Sequence, residues 1–184
     1  FLKYQLTQGE HILPYRILLP KKFDANKEYP LVLFLHGRGE SGNDNEKQLQ
    51  NGAALFLKEN VRNKYPAIIV FPQNPEESYW SNVQILTTPE NKREFYFTDG
   101  QKPSNSMEML IQALDNLQRQ YKIKQNQIYV MGLSMGGMGT FEIVNRMPNT
   151  FAASIVICGG ANPITAPNLK NTKWWIFHGA KDDI

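Results

Sequence analysis

The residues most able to do chemistry are Gly132-Leu133-Ser134-Met135-Gly136-Gly137. A serine hydroxyl becomes a nucleophile when a base can take its proton and amide donors can hold the oxyanion it creates. The G-x-S-x-G spacing meets part of that need through the backbone. An apolar-rich run precedes it and an amphipathic segment follows, so the serine falls at a sharp strand-to-helix reversal. Such a reversal strains the serine backbone and pushes its hydroxyl out at the end of the strand. It also presses together the residues two before and two after the serine, so both must be nearly free of side chain. Gly132 and Gly136 satisfy this, and Gly137 gives further clearance. Ser134 then stands at a helix N-terminus, whose partial positive charge favours a developing anion. The backbone N–H of Met135 becomes an oxyanion donor. The competing reading is a glycine-rich close-packing turn with an idle serine.

A second loop offers another donor. The run 31–36 leads straight into Gly37-Arg38-Gly39-Glu40-Ser41-Gly42. Glycines at 37, 39 and 42 match G-x-G-x-x-G between a strand and a helix, as a dinucleotide would need. That fold also requires an acid about 20 residues on, at the end of the next strand, to bind a ribose. The next strand ends at Phe71-Pro72-Gln73, and Glu59 lies near the end of a helix instead. The alternative is an oxyanion loop, in which a glycine-permitted turn aims the Arg38 N–H into the cleft above the sheet. A plain strand-to-helix turn is the third reading. His36 reads as a hydrogen-bonded structural histidine rather than a base, because it closes a buried strand.

These groups need a sheet to position them. Runs at 31–36, 67–71, 127–132, 152–158 and 173–178 are apolar with little alternation. Continuous runs mark strands buried on both faces of a parallel sheet covered by helices. Segments 2–7 and 13–19, separated by Gly9, read as an antiparallel hairpin. Helices are expected over 46–57, 105–121 and 135–147. In the second, Met107, Leu110, Ile111, Leu114, Leu117 and Tyr121 recur on one face, with Asn105 and Glu108 as a capping pair. Pro148 stops the third. Strands alternating with helices imply right-handed crossovers and a three-layer α/β fold, with a mostly parallel sheet and an N-terminal antiparallel hairpin. Residues 73–102 show no clean period, which suggests an excursion over the sheet edge that carries binding.

Composition narrows the class further. A chain of 184 residues with 41% hydrophobic and 20% charged residues suits one globular domain, spanning 1–184. Net charge is +3, the signs alternate, and no basic stripe exists, so no nucleic-acid partner is expected. No apolar run approaches the ~18 residues of a membrane span. The single cysteine, Cys158, follows Ile155-Val156-Ile157 and reads as a buried small hydrophobe. No metal-ligand constellation is visible, and neither cofactor nor metal is expected. The start at Phe1 rather than Met fits a processed or an excerpted chain, so location is not readable, with secreted or periplasmic favoured over cytoplasmic. Oligomeric state is not readable.

Taken together, Tyr29-Pro30-Leu31-Val32-Leu33-Phe34-Leu35-His36-Gly37-Arg38-Gly39-Glu40, Phe71-Pro72-Gln73, Gly132-Leu133-Ser134-Met135-Gly136-Gly137 and His178-Gly179-Ala180-Lys181-Asp182 resemble an α/β-hydrolase. Within that superfamily the chain is similar to small bacterial carboxylesterases, grouped with phospholipase/carboxylesterase, polyhydroxybutyrate-depolymerase-like and feruloyl/acetylxylan esterases. The resemblance implies a Ser-acid-His triad in that chain order. It makes Asp182, the fourth residue after His178, the acid in preference to Asp183. It also suggests that Trp80 and Gln73 meet the substrate, a small or polysaccharide-linked ester. Trp174 and Trp175, on opposite faces of one strand, read as core.

The base is the departure. The histidines are His11, His36 and His178, and none follows Asp182. Seven strands are readable where the resembled fold has eight. The expectation is a C-terminally incomplete α/β-hydrolase domain, lacking the last strand and helix, whose histidine lies beyond Ile184. Losing such a base costs on the order of 10⁶ in turnover, so residues 1–184 alone should be nearly inactive. A prolyl-oligopeptidase-like peptidase and a catalytically silent binding domain remain as rival readings.

Overall fold

The apolar runs pair side by side because each has two faces to bury. A computed structural model describes residues 1–98 and 100–182. The strands are β1 (Leu2–Gln8), β2 (His11–Leu18), β3 (Tyr29–Leu35), β4 (Ile68–Pro72), β5 (Val83–Thr87), β6 (Arg93–Phe97), β7 (Ile123–Leu133), β8 (Ala153–Ile157) and β9 (Lys173–Phe177). The helices are α1 (Ala53–Leu57), α2 (Glu59–Lys64), α3 (Asn105–Gln120), α4 (Met135–Arg146) and α5 (Ala166–Leu169). One sheet runs β1-β2-β4-β3-β7-β8-β9, parallel from β4 to β9, with the β1–β2 hairpin antiparallel at one edge.

Alternation along β3 divides the core. Leu31, Leu33 and Leu35 join Ile68 and Val70 beneath Met107, Leu110, Leu114 and Leu117 of α3 and Ile143 and Val144 of α4. Phe34 faces the other way, onto Ile69, Phe71 and Ala53 of α1. Helices thus cover both faces of a mostly parallel sheet, the three-layer arrangement expected.

Four local readings need correction. The helix expected over 46–57 is broken: a single 3₁₀ turn, Lys47–Leu49, precedes α1. Gly52 between them has φ 85°, and a Cβ there would stand 2.5 Å from Phe34 Cζ. The chain must turn at that glycine to pass over the ring. The cap of α3 is Ser104, not Asn105; its hydroxyl accepts from the Met107 N–H at 3.1 Å. The excursion holds a second sheet, β5 paired antiparallel with β6, around a turn in which the Thr88 N–H donates to the Lys92 carbonyl. Trp174 packs as expected, stacked on Phe141 at 5.0 Å. Trp175 does not: it is 64% exposed, because its face of β9 is open to solvent.

Candidate active site

Register places the candidate residues. Leu35 pairs with Gly132 and Gly132 with Val156, while Leu133 pairs with Ile157 and Ile157 with Phe177. His36, Ser134, Cys158 and His178 are therefore the first residues past the carboxyl ends of four neighbouring parallel strands. Ligands bind along that edge in open α/β sheets.

Ser134 has φ 52° and ψ −117°, a left-handed conformation that costs about 1–3 kcal/mol in a non-glycine residue. The reversal is enforced on both sides. A Cβ on Gly132 would stand 2.0 Å from the Gly136 carbonyl oxygen, and one on Gly136 would stand 2.0 Å from the Leu35 carbonyl oxygen. The Ser134 N–H donates to the Ile157 carbonyl at 2.7 Å, and the Thr140 hydroxyl to the Gly136 carbonyl at 2.9 Å. Ser134 is half-buried rather than sealed in. Met135 occupies the first position of α4, where an N–H has no acceptor within the helix.

The 36–40 loop meets this corner. A Cβ on Gly37 would lie 3.7 Å from Ser134 Cβ and 3.4 Å from the Leu133 carbonyl oxygen. Arg38 begins a 3₁₀ turn, Arg38–Glu40, so its N–H is likewise left over by the helical pattern. A side chain at the mouth of this loop could reach toward the crevice or into solvent. Instead the guanidinium donates to the Ser78 carbonyl at 2.9 Å and to the Glu76 carbonyl, and lies 4.7 Å over the Tyr79 ring. Glu40 is buried, and its carboxylate accepts from the Asn51 side-chain amide.

His36 is fully buried, its Nδ1–H donating to the Gly37 carbonyl at 2.7 Å and its Nε2 accepting from the Asn74 N–H at 2.9 Å. Burial pushes its pKa below the usual histidine value. The Gly37 carbonyl and Glu40 oppose that shift, and Arg38 adds to it. The ring is neutral and structural, with no nitrogen left for substrate.

Trp80 and Gln73 differ from their expected place at the substrate. Both are 0% exposed. The Trp80 Nε1–H donates to the His36 carbonyl at 3.2 Å, and a Cβ on Gly139 would come within 2.3 Å of Trp80 Cβ. Trp80 is thus a brace wedged between the loop and α4. The Gln73 amide nitrogen donates to Asp44 at 3.0 Å, and its oxygen accepts from the Asn45 N–H at 2.6 Å. Both residues hold loops; neither presents a surface to a ligand.

At the other end, Asp182 is half-buried in a turn closed by its own N–H donating to the Gly179 carbonyl at 3.1 Å. Its carboxylate lies 3.8 Å from His178 Nε2. It also meets the Cys158 thiol, a partner the sequence reading missed. Cys158 is half-buried with φ 51°, and its N–H donates to the Phe177 carbonyl at 2.8 Å. The hydrogen bond to Asp182, then burial, then the carboxylate's charge push the thiol pKa up; the Gly179 amide opposes them. Reading Cys158 as a buried hydrophobe missed this, because an apolar run before a cysteine looks the same whether the sulfur packs or hydrogen-bonds. Asp183, the alternative acid, lies outside the described residues. Among the described residues, no group of three or more His, Cys, Asp or Glu side chains could hold a metal ion.

The family model described as "Putative esterase" matches residues 10–183. The chain is similar to a crystal structure of a thermostable esterase, with 34% identity and a TM-score of 0.85, over 100% of this chain and 47% of that one. A ferulic acid esterase shares the fold, with a TM-score of 0.65 at 17% identity, over 95% of this chain and 77% of that one. A bifunctional acetylxylan esterase/xylanase of Neocallimastix patriciarum is 31% identical over 74 residues, covering 40% of this chain and 11% of that protein. The chain therefore spans about half the length of the thermostable esterase and a small part of the fungal protein.

Proposed function

The chain belongs to the Esterase family, and from that premise we propose that it carries the nucleophile, acid and oxyanion donors of a serine carboxylesterase. The observation that carries this reading is the backbone of Ser134, held left-handed at 52° by glycines on both sides and faced by Gly37. Such strain persists only where its surroundings over-determine it, and it gathers at reactive groups.

In this reading Ser134 Oγ attacks the ester carbonyl carbon, and its proton passes to an imidazole. The carbonyl electron pair moves onto oxygen, and the Arg38 and Met135 amides hold the resulting charge. Such donors contribute about 10²–10³ in rate each. Collapse expels the alkoxide, which leaves as an alcohol with that proton. Water then repeats the sequence on the acyl-serine and frees the acid. Asp182 orients the imidazole and balances its charge. The three histidines in hand fit the base poorly. His11 opens β2 in the hairpin, His36 has both nitrogens engaged, and His178 precedes the acid, against the family's chain order. We assign the base outside residues 1–184.

For substrate we propose short acyl or plant-polysaccharide-linked acetyl and feruloyl esters. An open groove lined by Phe95, Tyr96, Phe97 and Gly160 supports this, since it offers flat apolar walls one residue beyond Gly159 and the Cys158 corner. The test is Ser134→Ala in the protein expressed from its whole gene. Cleavage of p-nitrophenyl acetate should fall by about 10⁶ with the circular dichroism spectrum unchanged. Turnover within tenfold of wild type would defeat the mechanism.

A further inference from the structure

An open groove of about 750 Å³ runs between the β1–β2 hairpin, the 42–45 loop, the 75–78 segment and the start of α3. It lies along the same edge of the sheet as Ser134. Residues 75–78 follow the carboxyl end of β4, Ser134 follows that of β7, and β3 alone separates those strands. Two strand spacings amount to about 10 Å. The groove walls are fastened to that edge. The Gln73 N–H donates to the Pro14 carbonyl at 2.8 Å, and the Gly42 N–H to the Asn74 carbonyl at 2.9 Å. Arg38 joins the two places, because its guanidinium holds the Glu76 and Ser78 carbonyls on the groove's rim. The aromatic groove at Phe95–Phe97 includes Gly160, past the end of β8, and so lies on the other side of β7.

The groove's polar groups are uncommitted. Among the described residues, no hydrogen bond or ion pair engages the side chains of Gln5, Glu10, His11, Asn43, Glu77 or Asn105. On the adjoining surface the pattern is the opposite. Lys3 pairs with Glu46 at 2.8 Å, and Lys47 lies 3.9 Å from Asp44 and 3.8 Å from Glu76. We propose that this groove binds the neutral sugar chain that carries the ester, holding residues beside the one presented to Ser134. The proposal deepens the esterase reading above and rests on it. The chemistry selects that ligand. Side-chain amides both donate and accept, as sugar hydroxyls do. Glu10, Glu76 and Glu77 accept from hydroxyls and repel anions, and neither Lys nor Arg lines the groove. Ile12, half exposed, and Met109 add aliphatic surface for the C–H faces of a sugar ring. An extended peptide has no strand edge to join here, because β2 is paired on one side with β1 and on the other with β4. Ester and chain would then divide at Ser134, the acyl group toward Phe95–Phe97 and the sugars toward Asn43 and Asn105.

Titration calorimetry on the whole-gene Ser134→Ala protein tests this without needing turnover. Xylohexaose, a neutral oligosaccharide, should bind with a Kd of about 1 mM or tighter, and raising salt to about 0.5 M should leave that value unchanged. Adding His11→Ala, Asn43→Ala and Asn105→Ala should weaken binding about tenfold or more, through the loss of uncharged hydrogen bonds. These side chains are exposed, so the melting temperature should hold. With Ser134 restored, the same triple variant should cleave p-nitrophenyl acetate within about twofold of wild type, while its KM on acetylated xylan rises about tenfold at constant kcat. No binding of xylohexaose up to about 10 mM would overturn the proposal. So would equal affinity in the triple variant. Tighter binding of a chitosan hexamer that fades in salt would also overturn it, since the groove would then be a cation site. The two claims fail separately. If Ser134→Ala is dead but xylohexaose does not bind, the esterase reading stands and the groove's role falls. If xylohexaose binds but Ser134→Ala is fully active, the serine mechanism falls instead.

Discussion

Two corners of one sheet edge hold the residues to which we assign the chemistry, and they are built differently. The Ser134 corner is made of backbone pressed on backbone. Gly132, Gly136 and the Leu35 carbonyl leave no room for a methyl group, and Trp80 braces the loop opposite. The Asp182 corner is made of side-chain contacts within the 178–182 turn, with the His178 ring 3.8 Å from the carboxylate. Close-packed backbone resists displacement by sterics, so the first corner holds its geometry whatever occupies the crevice. Hydrogen bonds of half-buried groups can be exchanged with water at little net cost, so the second corner depends on each partner. Stability should therefore concentrate at the proposed nucleophile, and sensitivity of turnover without loss of stability at the proposed acid.

The largest effect that could break this contrast is at Asp182. Asp182→Asn keeps the shape but supplies an amide where the base needs a carboxylate, and kcat should fall by about 10⁴. Stability should change by about 1 kcal/mol or less, since the side chain is half-buried. Asp183→Asn is the paired control and should retain wild-type turnover. If the control is the slow variant, the acid has been assigned to the wrong residue.

At the nucleophile corner the order of effects reverses. Gly136→Ala forces a Cβ to within 2.0 Å of the Leu35 carbonyl oxygen, and both partners are backbone, so neither can swing aside. Overpacking costs typically about 1–3 kcal/mol, and this site belongs at or above the top of that range. For a chain of this size that is roughly 6–12 °C in Tm. Differential scanning calorimetry decides the matter: an unchanged Tm would mean the corner yields, and the contrast with the acid corner disappears.

Legibility in the sequence followed the same division. The Ser134 corner could be read because its demand is steric and only glycine meets it, at fixed offsets from the serine. The parallel strands were readable because burial on both faces leaves unbroken apolar runs, as in Ile68–Pro72. The Asp182–Cys158 contact was not readable, since nothing in the spacing of 158 and 182 reports that β8 and β9 end side by side. Resemblance pointed to Asp182; the sulfur beside it came only from the fold. Trp80 and Gln73 were misplaced for a related reason. An aromatic or amide near a cleft looks the same in sequence whether it faces the ligand or props the loop from behind. The β5–β6 hairpin left a weak trace, Val83 and Ile85 against Phe95 and Phe97 around Pro89 and Asn91, with Asn91 at φ 60°. Its strands face solvent on one side and run only five residues each, too short for a period to stand out.

The smallest effect concerns the loop facing the nucleophile, and it has a sign that can be worked out. His36 is buried and neutral, and its Nε2 must stay unprotonated to accept from the Asn74 N–H. Its folded-state pKa lies below the unfolded value of about 6.5, so between those two values the unfolded chain binds a proton that the native chain does not. Stability is then lost as pH falls below about 6.5, by up to about 1.4 kcal/mol per pH unit from this one group. Urea unfolding at pH 7.5 and pH 5.5 should show a loss of about 1 kcal/mol on acidification. That window stays above the range where Asp44, Glu46 and Glu59, whose carboxyl pKa values are lowered, begin to contribute. His36→Gln should be less stable at both values but should lose the slope, because glutamine does not titrate. A slope that survives in His36→Gln would mean the acid-sensitive group lies elsewhere, and that the loop opposite Ser134 is not locked by a neutral ring.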